Sequence, residues 1–244
     1  MVHLNTTGCE RVLVVENEPD AGPEMFQHWL SGAGLRVELW RPYAGHVLPS
    51  RLEGAGLLVL GGEMGALDDD KAPWLAQVRA MLEEATAQGR PVLGICLGAQ
   101  MLAAACGGRV EPARSGGELG LDRIELNDEA HRDRLFAGIA PPVEVVQWHN
   151  DEITELPPGA VLLASSPRCA VQAFRIGERA WGVQFHPEVT SAVLRAWAEA
   201  EEPATPARRR QLELAIASVA SAETRLFALW RGFAERFAAV MRQP

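Results

Sequence analysis

Cys96 sits between two glycines in Gly94-Ile95-Cys96-Leu97-Gly98-Ala99-Gln100, where the apolar run Pro91-Val92-Leu93 meets the helical pattern Met101 to Ala105. The stretch reads as a strand, a sharp turn and a helix, with a thiol at the turn. Glycine two residues to either side permits the strained strand-to-helix elbow that lifts a side chain out at the top of an α/β sheet. A thiol there also meets the unpaired N–H groups and the positive end of the helix dipole, which favour thiolate. A buried structural cysteine in a glycine-bounded turn has the same local pattern, so the elbow alone leaves both readings open.

A thiolate nucleophile needs a base, a group that orients the base, and donors for the oxyanion formed on attack at a carbonyl. Gln184-Phe185-His186-Pro187-Glu188 puts a carboxylate two residues after a histidine. On extended backbone that spacing lets both side chains lie on one side, so Glu188 can hold the tautomer of His186. A surface pair or a metal ligand fits the same three residues, but no second His or Cys lies at ligand spacing, which argues against a metal centre. The third part is the loop Leu60-Gly61-Gly62-Glu63-Met64-Gly65. Open α/β sheets bind ligands at this end of their strands. The N–H of Gly62, with that of Leu97 after the nucleophile, would make a two-donor oxyanion hole. A phosphate loop is the competing reading, yet there is no Gly-Lys-Ser/Thr and no helix start directly after the glycines.

The elements that must carry these residues alternate. Arg11 to Glu16, Leu35 to Trp40, Gly56 to Leu60 and Pro91 to Ile95 read as buried strands, separated by helical patterns from Pro23 to Gly32 and from Trp74 to Ala87. This is the signature of an α/β fold with an open, mostly parallel, doubly wound, flavodoxin-like sheet. After Gly107-Gly108 come shorter strands at Leu121 to Leu126, Val143 to Trp148, Val161 to Ala164, Ala170 to Ile176 and Trp181 to Phe185, which suit a mixed or antiparallel extension. Past Glu201 to Pro206, the residues Leu212, Ile216, Val219, Leu226, Trp230, Phe233, Phe237 and Val240 fall on one face of one long amphipathic helix, or two. The expected organisation is a catalytic domain over 1–200 and a C-terminal helical extension over 201–244 packed on it.

Composition excludes several classes. A formal net charge of −9 argues against a nucleic-acid groove, and Arg208-Arg209-Arg210 is too small an exception. No apolar run is long enough to span a bilayer. Met1 to Glu10 lacks a basic region or a continuous apolar stretch, so a cytoplasmic protein is expected, with Cys9, Cys96, Cys106 and Cys169 as free thiols.

Taken together, the glycine loop, then Gly-x-Cys-x-Gly-x-Gln about thirty residues later, then a strand ending in His-Pro-Glu resemble the class I glutamine amidotransferase family, in the family's order. The likeness covers about residues 10 to 200. Gly61 to Gly65 with Asp68-Asp69-Asp70, and Gln147-Trp148-His149, look most like stand-alone members related to the glutaminase domain of GMP synthase. By this resemblance Cys96 is the nucleophile, His186 the acid and base, Glu188 its orienting carboxylate, and Gln100 a substrate ligand. Trp148, His149 and Asn150 fall where the family lines its glutamine pocket. Glu63 stands where many relatives have proline and would read a substrate ammonium, while Asn150 replaces a common glycine.

The implied activity is cleavage of the γ-amide of glutamine through a γ-glutamyl thioester, with no cofactor and with ammonia passing to a separate synthase subunit. A free-standing γ-glutamyl hydrolase releasing a substituted amine is the alternative. A non-catalytic regulatory subunit with the same fold is the third reading, and retention of all three triad residues argues against it.

Overall fold

The structure, a computed structural model, describes residues 10–49, 51–52, 54–201 and 205–243. Cys9 lies outside the described residues. The first half of the chain alternates strand and helix: β1 (Arg11–Val15), α1 (Glu24–Gly32), β2 (Arg36–Trp40), β3 (Ala55–Val59), α2 (Leu75–Ala87), β4 (Val92–Ile95) and α3 (Leu97–Ala105). The second half is strand-rich: β5 (Arg109–Pro112), β6 (Glu118–Leu126), α4 (Asp128–Arg132), β7 (Val143–His149), β8 (Asp151–Glu155), β9 (Val161–Ser165), β10 (Ala173–Ile176) and β11 (Ala180–Val183). Two helices follow, α5 (Ser191–Ala200) and α6 (Pro206–Arg242).

Nine strands form one sheet in the order β2-β1-β3-β4-β11-β10-β9-β6-β7. The pairs from β2 to β11 are parallel, and those from β11 onward are antiparallel. Parallel strands with both faces covered are apolar along their whole length, and β1 illustrates it. Val12 and Val14 point into one core with Phe26 of α1 and Phe233 of α6, while Leu13 and Val15 point into the other with Leu82 of α2 and Leu102 of α3. Helix α3 is buried from Leu97 through Ala103, which matches a segment apolar on all sides.

The C-terminal amphipathic pattern forms one helix, α6, and all eight of its predicted face residues are buried. Trp230 packs on Phe185 with ring centroids 4.8 Å apart, and Phe233 meets Phe136 at 5.2 Å and Phe26 at 6.4 Å. The face therefore closes the α1 side of the sheet.

Four elements have no counterpart in the pattern reading. The small antiparallel pair β5 and β8 is polar along much of its length and carries Pro112, which hides a period-two signal. Helix α4 is five residues long. Helix α5 starts at Thr190, whose side chain accepts the N–H of Val193, and buries only Leu194 fully. Its apolar face of Val193, Leu194, Trp197 and Ala198 packs at helical spacing against the core, so the stripe is present in the sequence.

Candidate active site

Strand register brings three distant motifs to one edge of the sheet. Strand β4 lies between β3 and β11, all parallel; Val59 pairs with Gly94, and Ile95 with Val183. The chain leaving β3 is Leu60-Gly61-Gly62, the chain leaving β4 is Cys96, and the chain leaving β11 reaches His186. One side-chain and one backbone hydrogen bond hold these exits. The amide of Asn17 donates to the carbonyl of Leu60 at 2.9 Å, and the His186 N–H donates to the carbonyl of Val146 at 2.8 Å.

Cys96 is the N-cap of α3 with φ 51° and ψ −110°. A positive φ in a residue with a Cβ costs on the order of 1–3 kcal/mol and persists only where the surroundings impose it. Here the flanking glycines let them do so. A Cβ on Gly98 would sit 2.0 Å from the carbonyl oxygen of Val59, and one on Gly94 would sit 2.5 Å from the carbonyl carbon of Gly98. Strand β4, helix α3 and strand β3 thus meet closer than any side chain allows, and the elbow is held by that packing.

His186 Nδ1 lies 2.8 Å from Glu188 Oε1, and both side chains are almost fully buried. Burial alone would depress the imidazole pKa. The carboxylate of Glu188, then the charge and hydrogen bond of Cys96, outweigh it and push His186 well above the ordinary histidine value. The imidazole therefore bridges thiol and carboxylate. A Cβ on Gly61 would lie 3.1 Å from His186 Cε1 and 3.7 Å from Cys96 Cβ, so the glycine loop borders both groups. The indole of Trp197 covers the imidazole edge-on, with ring centroids 5.0 Å apart, and meets Trp148 at 5.6 Å.

Cys96 and His186 open into a cavity of about 620 Å³ whose walls include Gly62, Trp148, Trp197, Asn150 and the acidic residues Glu18, Glu63 and Glu201. A second cavity of about 560 Å³, lined by Glu16, Asp20, Glu24, Arg41 and Tyr43, shares Pro19 with it and holds no thiol. The sequence candidates Cys96, His186, Gly62, Glu63, Trp148 and Asn150 are thus brought to one cavity. Glu188 stands behind His186, and Leu97 is buried in the first turn of α3. Its N–H precedes the first intrahelical acceptor.

Gln100 and His149 lie elsewhere. Gln100 Nε2 donates to the carbonyl of Asp151 at 3.1 Å and to Gln184 Oε1 at 3.2 Å, away from the cavity walls. Gln184 Nε2 in turn lies 3.7 Å from Cys96 Sγ. His149 is buried, with Nε2 3.0 Å from Glu118 Oε2 and Nδ1 2.9 Å from the carbonyl of Asp151. Burial would raise the Glu118 carboxyl, but hydrogen bonds from His149, Ser166 and Gln172 hold it below the ordinary carboxylate range.

Glu118, His149 and Cys169 present ligand-type atoms within 4.8 Å of one another, a grouping that sequence spacing does not reveal. The Cys169 thiol donates to the carbonyl of Val171 at 3.4 Å, and burial pushes it up to about 12, so it stays protonated. Glu118, His149, Ser166 and Gln172 thus form a buried polar knot, with the Cys169 thiol beside it bonded to Val171. Asp68 and Asp69 pair with Lys71 and Arg79, as a turn would have it.

Three cavity residues lack any local sequence signal. Glu18 follows β1, Trp197 comes from α5, and Arg208 from the first turn of α6, where it holds Glu201 at 2.7 and 2.8 Å. Each arrives by tertiary packing.

A thiol on a strand-to-helix elbow, beside a carboxylate-oriented imidazole at the same sheet edge, is the constellation that acyl transfer by a cysteine nucleophile requires, carried here on a doubly wound α/β sheet. The chain belongs to the class-I glutamine amidotransferase family, whose model matches residues 24–196. It is similar to the glutamine-hydrolysing GMP synthase of Porphyromonas gingivalis, 38% identical over 150 residues that make up 60% of this chain and 28% of that protein. Gamma-glutamyl peptidase 3 of Arabidopsis thaliana is 31% identical over 142 residues, 57% of this chain and 56% of that one. The chain thus spans less than two thirds of the length of these curated relatives. The crystal structure of a glutamine amidotransferase from Thermotoga maritima superposes with a TM-score of 0.83 at 28% identity, covering 93% of this chain and 97% of that one.

Proposed function

We propose that this chain is an amidase for γ-glutamyl amides, with glutamine as the family's general substrate. Cys96 attacks the γ-carbonyl and the N–H groups of Gly62 and Leu97 receive the oxyanion. The His186 imidazolium protonates the leaving amine as the C–N bond breaks. A γ-glutamyl thioester remains. Water, deprotonated by the same imidazole, then attacks the thioester, releasing glutamate and restoring the Cys96 thiolate beside the His186 imidazolium. Glu63 and Trp148 flank the bound substrate, and Gln100 acts on it from behind the thiol, through Gln184. The observation that carries this reading is the buried Cys96–His186–Glu188 relay at the cavity floor.

With glutamine, the ammonia formed would pass to a separate acceptor enzyme, as the likeness to a GMP synthase suggests. A second reading is a free-standing γ-glutamyl hydrolase that releases a substituted amine. The likeness to a γ-glutamyl peptidase and a cavity sized for a molecule larger than one amino acid favour it.

Purified protein assayed for glutamate release tests the chemistry. Turnover of glutamine or a γ-glutamyl amide that is abolished in Cys96→Ala is expected, together with labelling of Cys96 by a glutamine diazo-ketone. Full activity of Cys96→Ala would overturn the assignment.

A further inference from the structure

The wall of the catalytic cavity carries more negative charge than a γ-glutamyl group can use. Glu18, Glu63 and Glu201 line it, against one guanidinium, Arg208, whose Nε and Nη2 are both engaged by Glu201. Glu18 and Glu63 are left. They are tied together, since Glu18 Oε2 accepts the N–H of Glu63 at 3.0 Å. A γ-glutamyl amide of a neutral amine is a zwitterion with one ammonium, so one carboxylate suffices for it. The His186 charge is engaged chiefly by Glu188 and Cys96 and reaches Glu18 only as a lesser attraction, behind burial and the contacts with Glu63.

The remaining wall is aromatic. Trp148 and Trp197 meet edge-on beside His186, and both line the cavity that Glu18, Glu63 and Cys96 also line. Indole surfaces suit a methylene chain, and they attract a cation as well. Beside the reacting groups the cavity therefore offers aromatic surface together with carboxylates.

Building on the amidase reading above, we propose that the amine released by this enzyme carries a second positive charge: the substrate is the γ-glutamyl amide of an alkyl diamine or longer polyamine. The γ-glutamyl ammonium is read by Glu63, the methylene chain lies along Trp148 and Trp197, and the distal ammonium is held by Glu18. Hydrolysis consumes one water and yields glutamate and the free diamine. Burial raises the Glu18 carboxyl, and a cation seated beside it would favour its charged form.

The test compares three synthetic γ-glutamyl amides of equal length with the full chain: the 4-aminobutyl amide, the neutral n-butyl amide and the amide of 4-aminobutyrate. Expected is a kcat/KM for the aminobutyl amide at least tenfold above the butyl amide, with the anionic compound lowest. The gap should shrink as salt rises from low to 0.5 M, since ionic screening weakens the attraction. Glu18→Gln should reduce the preference severalfold, and Glu18→Asp should recover part of it. Calorimetry on Cys96→Ala reads the same preference as affinity without turnover. Turnover with equal or better use of the butyl amide overturns the diamine proposal and leaves the amidase reading standing. A binding preference in Cys96→Ala with no hydrolysis by the native chain overturns the amidase reading instead.

Discussion

The N–H of Cys96 donates to the carbonyl of Val183 at 2.8 Å, joining the first residue past β4 to the last residue of β11. This bond continues the ladder by one step beyond the Ile95–Val183 pair and so fixes where the thiol sits relative to His186, three residues further along its own strand exit. Thiol and imidazole are positioned by sheet register.

That arrangement predicts a shifted histidine. Glu188 and Cys96 hold the His186 pKa above its ordinary value despite burial. The native state therefore keeps this proton at pH values where the unfolded chain, with histidine near 6.5, has lost it. The stabilisation is complete below that unfolded value and fades as pH rises through the folded one. In Glu188→Gln and Cys96→Ala the raising charges are removed, so the imidazolium should titrate at lower pH than in the native protein. NMR of the His186 Cε1 proton reads this directly. A titration unmoved in both variants would refute the coupling.

Thiol reactivity should divide sharply. Cys96 faces the cavity beside an imidazolium, whereas Cys169 is buried and its thiol is pushed up to about 12. Alkylation at neutral pH should modify Cys96 and leave Cys169 untouched until the protein unfolds. Peptide mapping by mass spectrometry after timed iodoacetamide treatment gives both rates. Equal rates would show that Cys169 is not enclosed as described.

The elbow should tolerate no methyl group. A Cβ on Gly98 falls 2.0 Å from the backbone of Val59, which belongs to a central strand and cannot retreat. Gly98→Ala is expected to cost on the order of 3 kcal/mol or more, seen as a large fall in the urea midpoint or as loss of soluble protein. A variant as stable as the native chain would mean that α3 can slide on the sheet.

What the sequence disclosed follows from locality. Cys96, His186, Glu188 and the Gly61-Gly62 pair each sit just past an apolar strand, so strand pattern and motif reinforce one another, and parallel order then brings the strand ends together. Trp148-His149-Asn150 was legible only as a block. The alternation of β7 turns Trp148 toward the cavity and His149 into the knot with Glu118, while Asn150, in the bend between β7 and β8, also reaches the cavity. Trp197 is the opposite case. Its helix carries a clear apolar stripe, but its Nε1 donates to the carbonyl of Asp20 at 2.8 Å across a separation of 177 residues. No local pattern contains such a contact.

Asn17 links this distant assembly to the glycine loop. It is fully buried and donates from Nδ2 to the carbonyl of Leu60, while Leu60 N–H donates to Val15 at 3.0 Å. These two bonds set the direction in which the chain enters Gly61 and Gly62, and with it the aim of the Gly62 N–H. Asn17→Ala removes a buried hydrogen bond, a loss of about 1 kcal/mol in stability, and frees the loop to turn its N–H away from the substrate oxygen. An oxyanion donor matters in the transition state more than in the bound substrate, and its loss typically costs about a hundredfold in rate. Asn17→Ala should therefore lower kcat by tenfold or more, short of complete loss because the Leu97 donor remains, while KM changes little. A variant with unchanged kcat and a raised KM would place Asn17 in substrate binding and remove the loop geometry from the account of catalysis.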